Sequence, residues 1–413
     1  MEVQIRKDGE SGAMQGTSAG QSTRAASWPQ GLILAGQAIL PTMGPLLLVP
    51  AVPLLFDAFG TIPNARFWVP LLLTVPALCI ALFAIPAGWL GDRIGRRRTL
   101  MIALLFYGIA GVAPLFLSSF AAIFASRVLL GLAEAIIITL SATMIGDYFQ
   151  GIQRARWLAM ISTIATFSAV LLLLIGGALA SEFGWRGPFA AYGISLLFLP
   201  LMLIFTWERS PAEHVAQVAE PPAIFPRRHL ILTAAVTLFG SSLFYTLAVQ
   251  QSLGLTELGV RDPARIGLLS ALASLANPVG TLVFRRFAEA ATWRLLTAAF
   301  MILGVALLWM GTARSDVMFA AAAGLGLFGA GILMPTLITW TMRELPFTYR
   351  GVGTGIFQSA FSFGQFASTL LMAVLVGKLT GSALPAFGII GAATLVAAGG
   401  TIFAAKTGRT AKR

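Results

Sequence analysis

Apolar runs of 18 or more residues recur twelve times along this 413-residue chain, at roughly 31–55, 67–90, 100–118, 121–146, 156–180, 189–207, 230–253, 264–283, 293–312, 317–340, 352–376 and 384–405. A helix of that length crosses a hydrocarbon core of about 30 Å with its backbone hydrogen bonds made internally. Soluble domains hold about a quarter charged residues. Here 11% are charged and 57% hydrophobic, so the runs predict an all-α membrane protein with twelve transmembrane helices.

A formal net charge of +12 invites a nucleic-acid partner, but the distribution excludes one. With both termini placed inside, 21 of the 28 Lys and Arg fall in inside segments and six, Arg66, Arg186, Arg261, Arg265, Arg314 and Lys378, in outside loops. Arg127 lies within a span. This is the positive-inside bias; it predicts a bacterial-type inner membrane protein with cytoplasmic termini and no anionic macromolecule as partner. Residues 1–27 are polar and rich in Gly, Ser and Gln, the composition of a disordered cytoplasmic tail. One cysteine, Cys79, excludes an internal disulfide, and two histidines, His214 and His229, build no metal cluster.

The longest polar interruption, 208–229, carries Pro and charge as a linker does. It divides the chain into an N-terminal bundle, 28–207, and a C-terminal bundle, 230–405, followed by a short cytoplasmic tail, 406–413. Arg154 opens the fifth span and Arg350 the eleventh, and at that offset of 196 the span boundaries roughly coincide. Two pseudo-symmetric six-helix bundles are a transporter architecture, with the ligand site near the midplane between them.

GWLGDRIGRRR, 88–98, packs Asp92, Arg93, Arg96, Arg97 and Arg98 between the second and third spans. The segment resembles the signature loop of the major facilitator superfamily through Gly88, Leu90, Asp92, Arg93, Gly95, Arg96 and Arg97. Arg127, Gly131 and Ala133 match that family's fourth-helix motif, and GGALASEFGWRGPF, 176–189, resembles its exit from the fifth helix. In the second half the copy is degraded: Gly280 and Arg285 align, with Phe284 in place of the Asp. The resemblance implies a gate of Gly88, Asp92, Arg93, Gly95, Arg96 and Asp147. Asp92 would face the start of the eleventh helix near Thr354, and Arg93 would reach Asp147. Topology alone accounts for Arg96, Arg97 and Arg98, though not for Asp92 or the glycines.

Arg127 and Glu134 are the charges deepest in the apolar spans, where a charge is costly and function is the first hypothesis. Seven residues are two turns, so both project from one face about 10 Å apart, too far for a direct ion pair. Glu134, near the centre of its span, suits a proton carrier, with Arg127 tuning it. The alternative is a structural carboxylate neutralised by neighbouring helices. At the offset of 196 the pair falls on Ala323 and Ala330, so charge chemistry belongs to the first half.

In the resembled family the first, fourth, seventh and tenth helices line the cavity. These carry Gln37 and Thr42; Arg127 and Glu134; Ser242, Tyr245, Gln250 and Gln251; and Thr336, Thr339 and Trp340, while the eleventh adds Gln358 and Gln365. A few uncharged polar groups among aromatics and methionines suit an amphiphilic organic molecule. Such groups equally bond across helix contacts. Pro41, Pro45, Pro50, Pro53 and Pro335 are expected to kink their spans. GLGLFGAG, 324–331, lies in an apolar helix and suits close packing rather than dinucleotide binding.

No phosphate-binding loop, nucleophile–base pair or metal constellation is present, so the expectation is a monomeric, cofactor-free transporter and not an enzyme. Proton-coupled efflux of a small hydrophobic or amphiphilic compound by antiport is the first reading. Import of an organic anion bound by Arg127 is the second, and a non-transporting membrane sensor the third.

Overall fold

A computed structural model describes residues 26–208, 225–343, 345–346 and 349–410; of Arg350 and 402–410 only the backbone is described. The tail 1–25, most of the linker with Arg209 and His214, and the tail cations Lys406, Arg409, Lys412 and Arg413 therefore lie outside the described side chains.

Among the described residues, eleven helical stretches are long and apolar enough to cross a membrane. The first, Trp28–Phe59, is broken where its prolines remove backbone donors. It consists of α1 (Trp28–Gly36), α2 (Ile39–Leu46), a 3-10 turn (Val49–Ala51) and α3 (Val52–Phe59). Leu48 N–H donates to Pro45 O, so the ladder bond it would make to Gly44 O is missing. Then follow α4 (Ala65–Ile94), α5 (Arg96–Val112) and α6 (Phe120–Tyr148). Gly95, at φ +108°, makes the reversal between α4 and α5, a backbone conformation that favours glycine.

The stretch Gly151–Phe205 is 55 residues long. At about 1.5 Å per residue it exceeds any single crossing. It comprises α7 (Gly151–Phe183), a 3-10 segment (Gly184–Ile194) and α8 (Ser195–Phe205). The segment packs on α5 and on α7, and α8 returns along α5 to α1, where the Gln30 amide donates to Phe205 O.

The second half is α9 (Arg227–Val249), α10 (Gln251–Glu257), α11 (Pro263–Ser274), α12 (Ala276–Arg286), α13 (Thr292–Gly311), α14 (Asp316–Arg343), α15 (Arg350–Val374) with a π-helical extension over 375–380, and α16 (Ala383–Thr410). α14 continues as one helix through Pro335. Its glycines serve packing as expected: a Cβ at Gly331 would strike Asn277 O of α12.

One end of the bundle carries the 88–98 segment and is termed the basic end; the opposite end carries residues 60–64, 258–262 and 381–382. The halves are joined toward that far end. Thr74 of α4 donates to Thr369 of α15 at 3.0 Å, and Ser181 to Asp262 at 3.4 Å. Gly177 and Gly267 let α7 and α11 meet backbone to backbone. At the basic end the first turns of α7 are exposed, and Cβ atoms at Gly351 and Gly355 of α15 would meet nothing within 4 Å.

Candidate functional site

Arg127 is fully buried and Glu134 is 1% exposed, both on α6 and both turned toward α2. The Arg127 guanidinium is held by backbone. Nη2 donates to Gly44 O at 2.9 Å and to the Tyr192 hydroxyl at 3.0 Å, and Nε to Leu72 O at 3.4 Å. Its Cζ lies 4.8 Å from the Tyr192 ring centroid and 5.8 Å from that of Phe189. Gly44 O is the carbonyl whose helical donor is missing, so the cation and the Tyr192 hydroxyl complete the broken ladder. One turn away the Tyr107 hydroxyl donates to Leu40 O at 2.6 Å.

Glu134 lies against the same residue. A Cβ at Gly44 would stand 2.5 Å from Glu134 Oε1. Among the described residues no group donates to that oxygen, although it is buried. Two turns on, Ser141 donates to Gln37 Oε1 at 2.7 Å, leaving Gln37 Nε2 buried and unpartnered. α6 thus presents Arg127, Glu134 and Ser141 in one row to the first span. The two charges share no hydrogen bond, as their spacing foretold. Gly44, Tyr192 and Tyr107 were not foreseen; the one signal was a glycine set between Pro41 and Pro45.

The expected cavity residues divide. Thr42 donates to Ala38 O, Ser242 to Leu238 O, Gln251 to Ala248 O and Thr336 to Ile332 O, each within its own helix or turn. Gln250 belongs elsewhere. Its amide donates to Thr369 at 2.6 Å, making a buried Thr74–Thr369–Gln250 group where the halves meet. Gln250 and Thr369 of that group line a far-end cavity of about 280 Å³ which also takes in Asp57, Arg66, Glu257 and Arg261. The half-buried wall of α9 and α15 is aromatic: Tyr245 packs on Phe244 at 4.8 Å and on Phe361 at 5.4 Å, with Phe357 6.1 Å from Phe361. Gln358 donates to Ser362 on α15, and Trp340 packs on the His229 ring at 6.1 Å.

The residues expected to form a gate at the basic end have partners other than those expected. Arg96, not Arg93, bridges to Asp147 at 2.5 Å, and it also binds Asp92 at 2.7 Å. Arg93 instead lies over the Trp89 ring at 5.3 Å. Gly95 turns the chain between the two: Arg93 lies in the last turn of α4, while Arg96 is the first residue of α5. Asp92 is 61% exposed and is bound to Arg96 rather than to the α15 end near Thr354. Arg97 is more than topogenic, since it donates to Thr206 and to the Met202 and Leu203 carbonyls at the end of α8. A Cβ at Gly88 would make only ordinary contact with Thr139 at 3.6 Å.

The family model of the Major Facilitator Superfamily matches residues 34–369. The fold is similar to that of a D-xylose-proton symporter, at 16% identity over 90% of this chain and 96% of that one, with a TM-score of 0.74. It is also similar to the POT family transporter PepTSo, at 14% identity over 93% and 99%, TM-score 0.72. The human organic anion transporter TETRAN matches at 19% identity over 89% and 97%, TM-score 0.65. Identities this low carry the fold alone.

Proposed function

The chain belongs to the Major Facilitator Superfamily, and on that premise we propose that it is a secondary active transporter exporting a small hydrophobic or amphiphilic organic compound in exchange for protons. In this reading the apolar stretches make twelve passages in two six-helix bundles, because Gly151–Phe205 runs out and back. The basic end is cytoplasmic by the positive-inside bias, in a bacterial inner membrane. The halves, joined at the far end and apart at the basic end, then stand in an inward-facing state of an alternating-access cycle.

Glu134 is the observation that carries the coupling. A carboxylate at 1% exposure with no donor to Oε1 is stable there when it carries a proton. Its release requires the surroundings to change, which is what a swing between two access states supplies. Arg127 positions it through Gly44. Asp92, Arg96 and Asp147 form the basic-end gate, and Thr74, Thr369 and Gln250 the far-end one. Import of an organic anion is less well supported, since Arg127 is engaged by Gly44, Leu72 and Tyr192 with only Nη1 left over.

The test is proton movement in vesicles containing the purified protein under an imposed pH gradient, with a panel of amphiphilic compounds. Compounds are expected to drive proton flux in the wild type and none in Glu134→Gln. Undiminished flux in the variant would sink the coupling role, and accumulation driven by an inward proton gradient would reverse the direction.

A further inference from the structure

We infer that the far-end cavity is a second ligand site, which takes a small organic monoanion with an apolar body and holds it between Arg66 of the first half and Arg261 of the second. The ligand is an effector that enters from the far end, not the compound carried.

Both halves wall the cavity of about 280 Å³. Pro53, Phe56 and Pro70 come from the first, and Leu253, Met372 and Val376 from the second. The lining is graded in exposure. Pro53, Pro70, Gln250, Thr369 and Met372 are buried, Phe56, Leu253 and Val376 are half-buried, and Asp57, Arg66, Glu257 and Arg261 are exposed. A pocket so built receives an apolar body and leaves a polar head among the charges. Neither Arg127 nor Glu134 is among the described residues that line it.

The sign of the head follows from which of the four charges are already used. Glu257 is spent within its own half. Its carboxylate accepts the Ala383 amide at 2.6 Å, the Leu384 amide at 3.1 Å and the Ser382 hydroxyl at 2.7 Å, at the start of α16. The helix dipole there holds it further. Arg66, Arg261 and Asp57 have no hydrogen-bond or ion-pair partner among the described residues. Two free guanidiniums against one free carboxylate leave positive charge in surplus. Each guanidinium offers a planar pair of donors that suits a carboxylate head. A cation would meet Asp57 alone, opposed by both arginines.

The site has a consequence that rests on the transport reading. Gln250 and Thr369 of the lining belong to the group that joins the halves through Thr74. A ligand held by an arginine from each half adds a second tie at that place, and so favours the state in which the far end is closed.

The test is equilibrium binding to the purified full chain in nanodiscs of zwitterionic lipid, with empty discs as the blank. The probes are 2-naphthoate, 2-naphthylmethylammonium and 2-naphthylmethanol. The naphthoate is expected to bind, and the cationic and neutral probes to bind several-fold more weakly. Arg66→Gln and Arg261→Gln should each weaken the naphthoate by roughly threefold to fivefold. Arg314→Gln, a cation in the far-end turn before α14, and Glu134→Gln should leave it unchanged, which separates the cavity from general surface charge and from the buried pair. In vesicles, naphthoate on the far side should slow compound-driven proton flux in proportion to its occupancy. The inference falls if the naphthoate does not bind, if the cationic or neutral probe binds as well, or if the Arg66 and Arg261 variants bind it unchanged. It falls equally if bound naphthoate leaves flux unslowed, or drives flux itself and is therefore cargo. Loss of the site with flux intact leaves the transport reading standing, whereas binding as expected without flux from any compound removes that reading and keeps the site.

Discussion

Arg127 and Glu134 reach Gly44 from the same helix without touching one another. The guanidinium takes its carbonyl at 2.9 Å, and the carboxylate rests where its side chain would be. A buried cation is normally balanced by an anion. Here carbonyl dipoles and two rings surround it instead, and Glu134 Oε1 has no donor among the described residues.

Replacing Gly44 by Ala places a methyl group on Glu134 Oε1. We expect overpacking of about 1–3 kcal/mol, read as a lower Tm in detergent, and loss of compound-driven proton flux even in molecules that remain folded. Flux equal to wild type would show that the carboxylate can move away freely.

Arg127→Lys keeps the charge and loses the fork that serves Gly44, Tyr192 and Leu72 together. The expected loss is about 2–4 kcal/mol, since buried acceptors go unserved. Arg127→Lys as stable as wild type would mean that an ammonium can replace the fork.

At the basic end, Arg96→Ala should cost about 1 kcal/mol and Arg93→Ala less than half of that, because the bridge to Asp92 and Asp147 belongs to Arg96. Thermal unfolding at low and high salt checks both. The difference between the variants should shrink as salt screens the exposed Asp92.

Thr369→Val removes the hydroxyl shared by Thr74 and Gln250. The Gln250 amide is left buried without an acceptor, which favours separation of the halves at the far end. Spin labels at Asp57→Cys and Arg261→Cys, in a Cys79→Ala background, should report a longer mean distance than without Thr369→Val.

Composition and run length foretold the helical stretches closely, because lipid forces each crossing to satisfy its own backbone. Arg127 and Glu134 were legible for the same reason: a charge in an apolar run stands out. Their environment was not. Gly44 and Tyr192 are ordinary residues in a sequence, and become a site only when the broken first span and the 3-10 segment are brought against α6. The exchange of Arg93 for Arg96 turned on one glycine, since Gly95 ends α4 and sets Arg96, three residues on from Arg93, at the start of α5. Gln250 was placed in the cavity because its span reads as one apolar run. The run breaks at Gln250 itself, between α9 and α10, which carries the side chain to the far end.

The interruption of the first span makes a side chain on one helix a stand-in for a main-chain donor on another. Any rotation of α6 relative to α2 must therefore be felt as a change in backbone hydrogen bonding over Gly44–Leu48. Access to either side of the membrane then has a local clock: the Leu48 amide, free of the usual ladder, should exchange its hydrogen at a rate that follows the transport cycle rather than global unfolding.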